Sequence, residues 1–251
     1  MQSIIFPLTL STLAGLSTLI GAIFIFFKIQ DKNLNKFISF CLAFSISVMI
    51  TISILDLIPT SFFQISNIYG VGKSILILII AFIISYIVIT YLSVRIEKET
   101  HSADLYKLGI LNMIVLILHN LPEGIATFLS SYHSTSLGIK LSVAIMLHNI
   151  PEGISIAVPI YYATKNRKKA IKATLLSGLS EPVGPLLAFV FLKKYVSDIM
   201  ISVVLIVVAG LMITLSIQEM LPKALKYKEI KFIYLGLFCG TILVIINVLI
   251  S

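Results

Sequence analysis

The sequence predicts an all-α protein, a polytopic membrane bundle of eight transmembrane helices with both termini outside. Three observations carry that expectation. Of the 251 residues, 58% are hydrophobic and only 12% charged, a balance outside the range of soluble globular domains. The apolar residues fall in continuous runs, and the Lys and Arg residues gather in alternate connections between those runs.

Crossing the hydrocarbon layer takes roughly 20 apolar residues of helix. Eight runs meet that length, at about 4–27, 34–58, 72–94, 108–130, 137–163, 169–192, 197–221 and 232–250. Because these runs are continuous and do not alternate, a membrane β-barrel is excluded. The connections are too short for a soluble catalytic domain, so residues 1–251 read as a single transmembrane domain. The N-terminus, Met1-Gln2-Ser3-Ile4-Ile5, lacks a positive leader and a small-residue cleavage site, so the first span is expected to remain. Cys41 and Cys239 both fall within apolar runs, where a free Cys behaves as a small hydrophobe, and no disulfide framework follows.

Orientation comes from the basic residues. The connections after spans one, three, five and seven hold Lys28, Lys32, Lys36, Arg95, Lys98, Lys107, Lys165, Arg167, Lys168, Lys169, Lys172, Lys223, Lys226, Lys228 and Lys231. The other connections hold only Lys73, Lys140, Lys193 and Lys194. Short cytoplasmic loops collect Lys and Arg, so the odd-numbered connections are expected to face the cytoplasm and both termini the exterior. The net charge of +8 is thereby a matter of topology and contact with anionic lipid. The bilayer is the expected partner, and no nucleic-acid site follows from the run Lys165–Lys172.

Ionisable groups at membrane depth cost several kcal/mol each unless they pair, bind an ion or line water. Here Asp56, Glu123, Glu152, Glu181 and Glu219 all fall inside spans, with His119 and His148, and no Lys or Arg lies near the middle of any span. Something else must supply positive charge. Span four reads His119-Asn120-Leu121-Pro122-Glu123-Gly124 and span five reads His148-Asn149-Ile150-Pro151-Glu152-Gly153. In a helix, His and Glu at i and i+4 lie on one face, close enough to share one ion. Pro122 and Pro151 lack an N–H, which frees the carbonyls of Leu118 and Leu147 and can kink each helix. The two histidines lie symmetrically about the turn at Ser131-Tyr132-His133-Ser134 and are expected at similar depth. Glu181 falls near the middle of span six. One layer of His119, Asn120, Glu123, His148, Asn149, Glu152 and Glu181 is therefore expected. Imidazole with carboxylate is a borderline ligand set, suited to zinc and ferrous iron, whereas calcium and magnesium prefer oxygen alone. The bland alternative is that each polar residue is a hydrogen-bonded strut between helices.

Several other features admit two readings. Span six contains Ser177-Gly178-Leu179-Ser180-Glu181-Pro182-Val183-Gly184-Pro185, which serves either close packing or a bent helix presenting Glu181. Asp56 could draw cations into an entrance or sit solvated at the interface. Glu219, beside Gln218, could help ions leave or pair with Lys223 at i+4. The connection around Glu97, Glu99, His101 and Asp104 could collect metal weakly, or be an ordinary solvated loop, as His133 is expected to be in its own turn. Gly236 and Gly240 have the spacing of a close helix contact, a pattern too short by itself to establish a homodimer.

HNLPEG at 119–124, HNIPEG at 148–153 and SGLSEPVGP at 177–185, inside an eight-span pattern covering nearly the whole chain, resemble the ZIP family of metal transporters in its bacterial branch. The resemblance implies uptake of zinc and iron toward the cytoplasm across the bacterial inner membrane, and a two-metal centre. Carried over to this chain, Glu123, His148 and Glu152 resemble the family's zinc ligands, with His119 a further member. Asn120, Glu123, Asn149, Glu152 and Glu181 resemble a neighbouring site for ferrous iron, so that Glu123 and Glu152 would bridge two ions. The chain departs from the family at two places: the His-rich loop of many relatives is reduced to His101, and their His-Glu pair in span seven is Gln218-Glu219.

Transport by alternating access is the mechanism this implies, with a metal-selective channel the alternative of the same class. The rival from another class is an intramembrane metal-dependent enzyme. It would need an open coordination position and a substrate pocket, and neither HExxH nor the Glu-x-x-His pairs of di-iron bundles occurs. No prosthetic group is expected; the metal is cargo.

Overall fold

The computed structural model describes residues 4–100, 104–188 and 197–250. The connection around His101, Lys193 and Lys194, and the end of the sixth apolar run lie outside them. Among the described residues the chain is helical throughout, with no strand: α1 (Ile5–Ala22), α2 (Asp31–Ile52), α3 (Ile58–Tyr69), α4 (Val71–Thr100), α5 (Asp104–His133), α6 (Thr135–Thr164), α7 (Arg167–Leu187), α8 (Asp198–Leu215), α9 (Leu221–Lys226) and α10 (Ile230–Ile250). A π turn at Ser53–Leu57 joins α2 to α3, and another at Ser216–Met220 joins α8 to α9. Eight rods result. Seven are long and apolar enough to cross a membrane. The other is α7, 21 residues long, which opens on Arg167, Lys168, Lys169 and Lys172 and carries Glu181.

Local chemistry sets the ends. Side chains of Ser134, Asn166 and Ser197 accept hydrogen bonds from the backbone N–H groups of Leu137, Lys169 and Met200, capping α6, α7 and α8. Gly70, at φ 81°, reverses the chain between α3 and α4 in a conformation that L side chains seldom adopt. The second and seventh rods run past the expected ends at 58 and 221, to Tyr69 and Lys226. Pro59 and Pro222 explain the difference. Each occupies the first turn of its helix, where the missing N–H costs no internal hydrogen bond.

Prolines inside α5, α6 and α7 leave the helices unbroken, and in α6 and α7 neighbours satisfy two of the carbonyls they free. Pro185 frees the carbonyl of Glu181, which accepts from Ser11 Oγ at 3.1 Å. Pro159 frees that of Ser155, which accepts from Asn112 Nδ2 at 3.0 Å.

Two groups of rods make the bundle: α1, α5, α6 and α7 pack on one another, as do α2–α3, α4, α8–α9 and α10. Contacts inside the first group are backbone-close. A Cβ at Gly15 would overlap the carbonyl oxygen of Gly178, and one at Gly178 that of Gly15. In lipid, where burial of apolar surface does not drive helices together, such close approach is what holds them. Gly236 and Gly240 pack within the chain: their missing Cβ atoms make room for the carbonyls of Phe40 and Phe44 on α2.

The first and last thirds of the chain are two copies of one arrangement, running in opposite directions. Ser53-Ile54-Leu55-Asp56-Leu57-Ile58-Pro59 and Ser216-Ile217-Gln218-Glu219-Met220-Leu221-Pro222 form the two π turns. The contacts match too: Ser53 Oγ lies 4.0 Å from Met212 Sδ, and Ser216 Oγ 3.9 Å from Met49 Sδ. At the same constant spacing along the chain, Gly15, Thr18 and Gly21 of α1 match Gly178, Glu181 and Gly184 of α7.

Candidate metal centre

The site lies where α5, α6 and α7, the fourth to sixth spans, meet α1. The glycines of the two hexapeptides bring the helices together there. A Cβ at Gly124 would overlap the carbonyl oxygen of Glu181 on α7, and one at Gly153 that of Thr18 on α1. Each hexapeptide therefore seats itself against a matching position of the two inverted copies, which sets the depth of its His and Glu.

His119, Glu123, His148 and Glu152 converge. His119 Nε2 is 3.2 Å from Glu123 Oε1 and 3.4 Å from Glu152 Oε1. His148 Nε2 is 3.2 Å from the same Glu123 oxygen, and the two imidazole rings are 6.2 Å apart. Ligand atoms of His119, His148 and Glu152 all lie within 4.8 Å of one another, close enough to hold one ion. All four side chains are buried, and no Lys or Arg forms an ion pair with them among the described residues.

Asn120, Asn149 and Glu181 lie beside this cluster. Asn149 Nδ2 donates to Glu181 Oε2 at 2.8 Å and to the carbonyl of Ala14 at 2.8 Å. Asn120 Nδ2 donates to the carbonyl of Ser177 at 3.1 Å. These bonds orient both amides with their oxygens unused. Asn120 Oδ1, Asn149 Oδ1, Glu181 Oε1 and both carboxylate oxygens of Glu152 are buried without a hydrogen-bond partner. Buried acceptors left in that state cost free energy. Five such acceptor atoms lie beside the two imidazoles.

A cavity of about 470 Å³ leads to the cluster, lined by Asp56, Thr60, Gln64, Glu123, His148 and Asn247 among others. It opens among the end of α3, the end of α5, the start of α6 and the end of α10. Asp56 is exposed along this path, with Thr60 donating to it at 3.3 Å. Glu219 differs: it pairs with Lys223 and accepts from Ser93.

Sequence reasoning placed the first span but missed its part in the site. Ser11 and the carbonyl of Ala14 hold the far side of the site. The signal that could have exposed it is the shared Gly-x-x-Thr/Glu-x-x-Gly spacing of residues 15–21 and 178–184.

The family profile described as ZIP Zinc transporter matches residues 92–247. The chain is 35% identical to the zinc transporter ZupT of Oceanobacillus iheyensis, covering 99% of both chains. It is 33% identical to ZupT of Clostridium perfringens, over 99% of this chain and 97% of that one. With ZupT of Lysinibacillus sphaericus the identity is 34%, over 92% of each.

Proposed function

This chain belongs to the ZIP family of zinc transporters, and from that premise we propose that it imports zinc and ferrous iron into the cytoplasm through the α5–α6–α7 centre. Membership makes it a transporter of divalent metal, a multi-pass protein of the inner (plasma) membrane, and not an enzyme. The observation that carries the finer reading is the buried His119–Glu123–His148–Glu152 cluster at the foot of the cavity, with carboxylate and amide oxygens beside it lacking partners.

In this reading His119, Glu123, His148 and Glu152 hold zinc. Asn120, Asn149 and Glu181, with Glu123 and Glu152 as bridging carboxylates, form the neighbouring place for the ferrous ion. The termini face outward and the cavity is the external vestibule. Two facts support that orientation: the basic residues cluster at the opposite ends of the rods, and the negative Asp56 lines the mouth, where it raises the local cation concentration. Metal enters past Asp56, exchanges its water for imidazole and carboxylate at Glu123 and His148, and leaves when the first group of rods shifts against the second. Because the imidazoles must be neutral and the carboxylates ionised to bind, protons compete with metal for the same atoms.

Reconstituted uptake of radiolabelled zinc and iron in competition, with and without a pH gradient, tests this. The expected result is zinc-inhibited iron entry that saturates; iron that neither enters nor competes would confine the function to zinc. Flux that fails to saturate would mean a channel.

A further inference from the structure

The transport reading leaves one cluster of charges unused, and it sits at the end of the bundle away from the vestibule. Asp104 and Lys107 are one turn apart at the start of α5, while Glu219, Lys223 and Lys226 lie one turn apart along the π turn and α9. Lys107 Nζ is 2.8 Å from Glu97 of α4 and 3.8 Å from Glu219. Lys223 also pairs with Glu219, Ser93 of α4 donates to it, and Lys226 is 2.7 Å from Asp104. Lys107 and Glu219 are each only 12% exposed, so their interaction is poorly screened by solvent.

Helix α5 belongs to the group that carries the metal centre, whereas α4, the π turn and α9 belong to the other. Lys107–Glu219 and Asp104–Lys226 therefore both cross between the two groups, at one end. At the other end the same groups part around the vestibule, where Asn247 Nδ2 of α10 donates to the carbonyl of Ala144 on α6 at 3.0 Å but no ion pair joins the groups among the described residues. The internal repeat supplies the comparison: Asp56 and Glu219 are equivalent positions, and the residue one turn on is Thr60 in one copy and Lys223 in the other. The same turn carries an exposed carboxylate where the groups are open and a lysine-neutralised one where they are closed.

We propose that Asp104, Lys107, Glu219, Lys223 and Lys226 form an electrostatic clasp that holds the two helix groups together at the cytoplasmic end. Lys107 and Lys223 act as tethered counter-cations on Glu219, and the clasp keeps the exit shut while the vestibule is open. It parts when the first group moves. This rests on the transport reading and on its topology.

The test is the rate at which a membrane-impermeant thiol reagent modifies Ala126→Cys, a vestibule position, in a Cys41→Ala/Cys239→Ala background in right-side-out vesicles. Asp104→Lys, which sets two ammonium groups against each other, and Lys107→Met should each lower that rate about threefold or more as the outward-open population shrinks. The exchange Asp104→Lys/Lys226→Asp should restore it, which separates a lost clasp from a damaged fold. Rates unchanged in both single variants, or lowered without recovery in the exchange, would overturn the clasp. Wild-type zinc uptake is measured in parallel. Zinc flux with indifferent labelling removes the clasp alone, whereas responsive labelling without zinc flux removes the transport reading and leaves the clasp.

Discussion

Glu123 Oε1 on α5 lies 3.2 Å from Nε2 of His148 on α6, a distance matched by the His119 Nε2 of its own helix. One carboxylate oxygen thus joins both hexapeptides, which neither could do alone. Removing it should uncouple the two imidazoles, while Glu152, whose oxygens accept no hydrogen bond among the described residues and have only the His119 imidazole at 3.4 Å, should be the side chain whose charge a metal most directly compensates.

Glu123→Ala and Glu152→Ala should each lower zinc uptake by proteoliposomes at least about tenfold, in line with the loss of affinity when a metal site is disrupted, and the double variant should carry none. Flux undiminished in the double variant would refute the centre. Zinc affinity by calorimetry should fall in parallel.

Protons and metal compete at the same nitrogens and oxygens. Zinc binding should therefore release protons into unbuffered detergent solution, and uptake should weaken as the external pH falls and protons occupy the ligand atoms. Binding with no proton release at any pH between about 5 and 8 would mean that neither histidine changes its proton on binding.

Asp56 lines the path but does not ion-pair with the cluster among the described contacts. Asp56→Asn should raise KM for zinc severalfold at low ionic strength with little change in maximal rate, and the difference should shrink in high salt. An equal loss in the maximal rate would make Asp56 part of the centre itself.

Gly124→Ala should destabilise the bundle by about 3 kcal/mol, at the upper end for overpacking, because its Cβ meets backbone and not a movable side chain. Thermal unfolding in detergent measures this. Gly72→Ala, where a Cβ would meet nothing, should be nearly neutral.

Ser11→Ala should cost about 1 kcal/mol, the size of a helix–helix hydrogen bond in a membrane protein, by stranding the carbonyl of Glu181 that Pro185 frees. Pro185→Ala in the same chain should recover part of that loss, since an N–H at 185 can take over the carbonyl. Additive losses would show that the two residues act independently.

By itself the sequence determined the class, the number of rods and the repeated hexapeptide on the fourth and fifth of them. Hydrocarbon thickness fixes the length of a spanning helix, and buried charge without a cation is too costly to be incidental, so eight apolar runs and the doubled His-Asn-x-Pro-Glu-Gly could be read directly. The i and i+4 geometry of each hexapeptide is local, which is why His119 with Glu123 needed no tertiary information. Tertiary structure decided what depends on packing across many residues. Glu123 is shared by both histidines because Gly124 and Gly153 seat α5 and α6 against α7 and α1. Gly236 and Gly240 pack against α2, and Glu219 is held by Lys107 from a distant helix. In lipid such choices turn on backbone-close contacts, and the partner in each is set by where the rods lie, not by the spacing of residues along any one of them.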